Sequence, residues 1–265
     1  MNSSITTDST PLSLADLTIA VVYDNNVYDT SVISEWGFSC YISGGGHTLL
    51  FDTGGKGPLL RHNMETMGLK LTDVESVVIS HHHGDHTGGL SALLRQKETL
   101  TLYIPQSFPS SFTNHVQGYG ARVVSVSEPV SICDNIYSTG EMGRGTGTGR
   151  GTGTGIREQS LFMRTDGGAI VITGCAHPGI IQVVKQVRTL CTDPILLLMG
   201  GFHLSADHVE LTTQATALKH LDVVHVGPCH CSGDAARDVF KTEFGDRYIE
   251  MGAGRIITAE TFTSL

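Results

Sequence analysis

Residues 74–89 read Val-Glu-Ser-Val-Val-Ile-Ser-His-His-His-Gly-Asp-His-Thr-Gly-Gly, a β-branched apolar run that passes directly into four imidazoles and a carboxylate. The run over residues 74–80 predicts a strand, and residues 88–96 resume with Leu90, Leu93 and Leu94 at helical spacing. Between them, His81, His83, Asp85 and His86 form a His-x-His-x-Asp-His pattern. Four such side chains within six residues cannot share an apolar core, because each needs a partner. A His-rich surface turn would explain the segment alone. It would not explain what surrounds it. In an extended segment His82 points away from its neighbours and is the spare member.

Four further segments place polar residues at the ends of predicted strands. Asp52 follows the run at residues 48–51, and His177 follows residues 169–173 by way of Gly174 and Cys175. His203 follows residues 195–199 through Gly200 and Gly201, and His230 follows residues 223–226, flanked by Cys229 and Cys231. Polar residues beside glycine at successive strand ends are how an α/β scaffold assembles a site.

The remaining chain fits that scaffold. Strands are expected at residues 17–23, 38–42, 100–104, 122–126, 161–164 and 248–251, and helices at 57–69, 178–190 and 234–244, with another begun by Ser205. This alternation implies a layered α/β fold. No linker divides it, so one domain over residues 1–265 is expected. Residues 143–155 read GRGTGTGRGTGTG and offer nothing to bury. A flexible loop is the expectation there; a phosphate cradle around Arg144 and Arg150 is the alternative, without the Lys-Ser/Thr end of a P-loop.

Composition narrows the function. The chain has 265 residues with 17 Lys+Arg against 26 Asp+Glu, a net charge of -9 that opposes binding to a phosphate backbone. No run approaches a membrane span, and the N-terminal residues lack a signal-peptide pattern, so a cytoplasmic enzyme without membrane or nucleic-acid partners is expected. The six cysteines show no disulfide-framework spacing. If residues 229–231 are extended, Cys229 and Cys231 point away from His230 and are buried thiols, whereas Cys175 points the same way as His177.

Asp52, the His81–His86 motif, His177 and His230, in this order, resemble the metallo-β-lactamase superfamily over roughly residues 17–258. More narrowly, Asp24-Asn25, FDTGG (51–55), SHHHGDHTGGL (80–90), EQSL (158–161), TGCAHPGI (173–180), MGGFHL (199–204) and GPCHCSG (227–233) resemble the branch named for 7,8-dihydropterin-6-methyl-4-(β-D-ribofuranosyl)-aminobenzene-5'-phosphate synthase.

The resemblance implies a four-layer αβ/βα sandwich and one or two divalent transition metals, zinc first, with manganese or iron as alternatives. It implies that His81, His83 and His177 hold one ion, that Asp85, His86 and His230 hold the second, and that Asp52 orients a ligand imidazole. Two such ions would activate a water and clamp a phosphoryl or carbonyl oxygen, with Asp85 as proton acceptor.

The expected function is a metal-dependent enzyme acting on a phosphorylated or anionic small molecule, by pterin-linked condensation with release of pyrophosphate. Phosphodiester or lactone hydrolysis on the same fold is the alternative, and a non-enzymatic metal or ligand sensor is a further one. Many dinuclear members carry a bridging aspartate where this chain has His203. His203 is expected to bind the substrate's anionic group, beside room left by Gly200 and Gly201; a proton donor, an unusual ligand and a structural histidine remain open.

Overall fold

A computed structural model describes residues 9–97, 99–143, 155–204 and 207–263. Thirteen strands run through it: β1 (Thr18–Tyr23), β2 (Ser39–Gly44), β3 (His47–Phe51), β4 (Ser76–Val78), β5 (Thr101–Pro105), β6 (Arg122–Val126), β7 (Val130–Cys133), β8 (Ile136–Ser138), β9 (Leu161–Thr165), β10 (Gly168–Thr173), β11 (Ile195–Gly201), β12 (Val223–Cys229) and β13 (Ile256–Ile257). They form a seven-stranded sheet ordered β13-β1-β2-β3-β4-β5-β6 and a six-stranded sheet ordered β12-β11-β10-β9-β8-β7.

The period-2 alternation of strand side chains explains the layering. On β1, Ile19 and Val21 join Ile170, Ile172, Leu197 and Met199 of the other sheet in one core. Their neighbours Ala20 and Val22 face outward, onto Leu60, Met64, Leu90 and Leu93. On β10, Ala169 and Val171 pack outward against Val183, Val184 and Val187 of the helix Ile180–Leu190. Both faces of these strands are covered, so they read as continuous apolar runs. The result is the expected αβ/βα sandwich.

Both sheets contain parallel segments, β3-β4-β5-β6 and β10-β11-β12. Parallel neighbours end on the same side, and the segments after β3, β4, β10, β11 and β12 therefore converge. This places the residues singled out above.

Several boundaries differ from expectation. The strand expected at residues 74–80 is confined to Ser76–Val78. The one expected at residues 248–251 makes only a single bridge to Val226, and the closing strand is β13, which pairs with β1 instead. The helix expected from residue 178 starts at Ile180, because Gly179 before it adopts φ +99°. The helix expected to begin at Ser205 starts at His208, capped by Asp207, whose carboxylate accepts the Glu210 amide at 2.9 Å. Ser205 itself lies outside the described residues, as do residues 144–154 of the Gly/Thr tract. Among the described residues no helix is long and apolar enough to cross a membrane.

Candidate metal centre

The His-rich segment leaves β4 and turns into a short helix, Gly84–Thr87. His81 and His86 are fully buried, and His81 Nε2 approaches His83 Nδ1 at 2.9 Å. His82 turns away and packs its ring on Phe108 and Phe112. Ring nitrogens of His81, His83 and His177 lie within 4.8 Å of one another. So do donor atoms of Asp85, His86 and His230, with Asp85 Oδ2 3.6 Å from His86 Nε2 and 3.5 Å from His230 Nε2. The fold thus gathers two triads from separate strand ends.

Buried polar groups hold these side chains from behind. Asp52, after β3, accepts the Ser80 amide and hydroxyl and His86 Nδ1, each at 2.7 Å. An acceptor on Nδ1 turns the Nε2 side of His86 toward Asp85. Asn25 brackets His230, its Oδ1 2.9 Å from Nδ1 and its Nδ2 donating to the backbone carbonyl. Asp24 accepts the His230 amide at 3.1 Å. Glu158 accepts the amides of Cys175, Ala176 and His177 at 2.8, 3.0 and 2.8 Å, fixing the segment after β10. Roles for Glu158, Asp24 and Asn25 escape a reading of the sequence, although all three stand within motifs of the resemblance.

Backbone strain collects here. Asp52, Ala176, His203 and His230 all have positive φ, between 46° and 59°. Non-glycine residues rarely adopt this region, and they do so at sites the surrounding structure over-determines. Glycine serves close approach: a Cβ on Gly174 would meet Ser80 Oγ at 2.1 Å, and one on Gly201 would meet the Gly174 carbonyl at 2.2 Å. The space beside Gly201 is therefore filled by the protein's own backbone, not left for a ligand as expected.

The turn at His230 also corrects the expectation for Cys231. Residues 230–232 form a 3-10 turn rather than an extended segment. Cys229 is buried in the core as expected. Cys231 instead faces the site, its Sγ within 4.8 Å of Cys175 Sγ and a His230 ring nitrogen. Cys175 is buried and its Sγ lies 3.4 Å from His86 Nε2. His203 packs against His177 at a tilt, with ring centroids 4.8 Å apart.

The electrostatics favour cation binding. Burial, then the charges of neighbouring imidazoles, pushes His81 well below the ordinary histidine range. The same causes take His177 to about 3 and His230 to about 2. These rings are neutral and carry lone pairs. His86 differs: burial opposes its charge, but Asp52 overrides this and raises it to about 9. Burial pushes Glu158 up to about 7 against the hydrogen bonds it accepts from three amides. Both ring nitrogens of His177, Nδ1 of His203 and Nε2 of His230 are buried without a hydrogen-bond partner among the described residues. Convergent, neutral and unsatisfied imidazole nitrogens beside a carboxylate fit a transition metal.

Comparison with known proteins agrees with this picture. The sequence profile described as the Metallo-beta-lactamase superfamily matches residues 37–222. The 7,8-dihydropterin-6-methyl-4-(beta-D-ribofuranosyl)-aminobenzene-5'-phosphate synthase of Methanocaldococcus jannaschii is 26% identical over 79% of this chain and 83% of its own length. The crystal structure of Tm1679, a metal-dependent hydrolase of the beta-lactamase superfamily, superposes with a TM-score of 0.77 at 27% identity, covering 92% of this chain and 99% of that one. Human tRNase Z, short form, shares the fold alone, at a TM-score of 0.60 and 15% identity over 91% of this chain and 98% of that one.

Proposed function

We propose, from the premise that this chain belongs to the metallo-beta-lactamase superfamily, that it is a metal-dependent enzyme acting on a phosphorylated or anionic small molecule. The observation that carries the reading is the pair of adjacent triads, His81/His83/His177 and Asp85/His86/His230. They would each hold one divalent ion, zinc first. Bound there, the ions supply a Lewis acid and a water acidic enough to ionise near neutral pH.

The protein's own groups do the rest. Asp85 is the carboxylate nearest His86 Nε2 and His230 Nε2, and it accepts the proton of the attacking nucleophile. Asp52, Asn25 and Glu158 hold the imidazoles so that little reorganisation accompanies reaction. His203, half-buried beside His177, contacts the substrate's anionic group. The net charge of -9 disfavours a nucleic-acid substrate.

The likeness to the M. jannaschii synthase, whose name joins a dihydropterin to a ribofuranosyl-aminobenzene phosphate, supports a finer reading: a ribofuranosyl-aminobenzene phosphate forms the new bond to the dihydropterin methyl carbon as the carbon–oxygen bond to pyrophosphate breaks. Hydrolysis of a phosphodiester or lactone is the second reading, favoured by the likeness to Tm1679, a metal-dependent hydrolase. Protein stripped with chelator and reloaded with zinc or manganese tests both, by pyrophosphate release from a dihydropterin diphosphate ester that depends on an added ribofuranosyl-aminobenzene phosphate, and by cleavage of a bis-aryl phosphodiester. Metal-dependent turnover of either is expected. Metal uptake without turnover of either, or of any phosphorylated or lactone substrate in a broader panel, would favour a sensor and overturn the proposal.

A further inference from the structure

The two triads hold five imidazoles and one carboxylate, so two divalent ions would meet a single anionic ligand, Asp85. A neutral imidazole offers one lone pair and cannot join two cations, so none of the five can bridge. Cys175 lies between the triads. Its Sγ is within 4.8 Å of ring nitrogens of His81 and His177 on one side and of His86 and His230 on the other. Among the described residues no other cysteine is so placed. Cys231 forms such a group only with Cys175 and His230, and His203 only with Cys175 and His177. The Cys175 amide donates a hydrogen bond to Glu158, which holds the backbone that carries the thiol.

We propose that Cys175 is the bridging ligand of the dinuclear centre, a thiolate that supplies the second anionic ligand. This rests on the two-metal reading above. Thiolate suits zinc and iron, and a metal deprotonates the thiol it binds. Loading the centre therefore releases the Cys175 proton to solvent and leaves the sulfur's charge shared between the ions.

X-ray absorption at the zinc edge tests this on the full chain loaded with two zinc equivalents. A sulfur shell at about 2.3 Å is expected beside nitrogen and oxygen at about 2.0–2.2 Å. A bridge gives one sulfur per zinc; a terminal ligand gives one per two zincs. Cys175→Ser should lose the shell and bind its second zinc at least ~10-fold more weakly, a loss that even supporting groups can cause. Cys231→Ser should keep the shell at full amplitude. If Cys175→Ser does not fold, the parent and Cys231→Ser spectra still decide. Two zincs with no sulfur, one sulfur per two zincs, or a shell lost only in Cys231→Ser would overturn the bridge while leaving the metal enzyme intact. Failure to take up zinc, manganese or iron at all would overturn both.

Discussion

Replacing Asp52 by asparagine isolates what holds His86. In metal-free protein the Asp52 carboxylate raises His86 from 6.5 to about 9 in spite of burial. A folded pKa above the unfolded one means that the native state binds the proton more tightly. The resulting stability is fully present below about pH 6.5 and is lost as pH rises through about 9. The shift corresponds to roughly 3 kcal/mol. The substitution removes the largest of the raising charges, leaving Asp85 and Glu158 against burial, so the His86 pKa falls toward its ordinary value. A carboxamide also cannot serve all three donors. Whichever way it turns, its NH₂ group faces either the Ser80 amide or His86 Nδ1. An unsatisfied buried donor costs about 1–3 kcal/mol, and an amide donating to Nδ1 drives the ring proton onto Nε2, where a cation would bind. Denaturant unfolding of the metal-free proteins between pH 6 and 10 checks the first effect, and zinc titration checks the second. The parent should lose up to about 3 kcal/mol across that range beyond the loss in Asp52→Asn, and the variant should bind metal about 10–100-fold more weakly. Parallel pH profiles with equal zinc affinity would refute the account of this contact.

Asp85→Asn should retain the fold and lose about 10²–10⁴-fold in turnover, since it removes both a ligand charge and the proton acceptor; parental turnover with both metals bound would refute the role. His203→Ala should raise KM or lower kcat with metal content unchanged, read by steady-state kinetics beside elemental analysis; loss of one metal equivalent would make it a ligand instead. Glu158→Gln puts an NH₂ group toward one of the three amides it serves, so metal affinity should fall about 10–100-fold and Tm by several degrees in calorimetry.

The candidate site residues were legible in the sequence because they sit at strand ends, where a short apolar run announces the strand and a glycine announces close approach; their grouping into two triads came from the resemblance. The α/β class was legible for the same reason, but pairing is absent from periodicity: the layering came from the resemblance, and strand order only from the structure. The hairpin of β7 and β8 was missed because Val-Ser-Ile-Cys and Ile-Tyr-Ser are too short to carry a pattern. Cys231 was misjudged because alternation assumes an extended chain, and His230 turns with φ +47°. Glu158 was invisible as a support because it serves amides 17 to 19 positions away through space. Such contacts leave no local signature.

Diffraction from crystals of the metal-loaded protein, recorded on either side of the metal's absorption edge, tests the central claim most directly. The account predicts two anomalous peaks about 3.5–4 Å apart, one against His81, His83 and His177 and the other against Asp85, His86 and His230. Peaks elsewhere, or no peak at either triad in protein that has taken up stoichiometric metal, would contradict it.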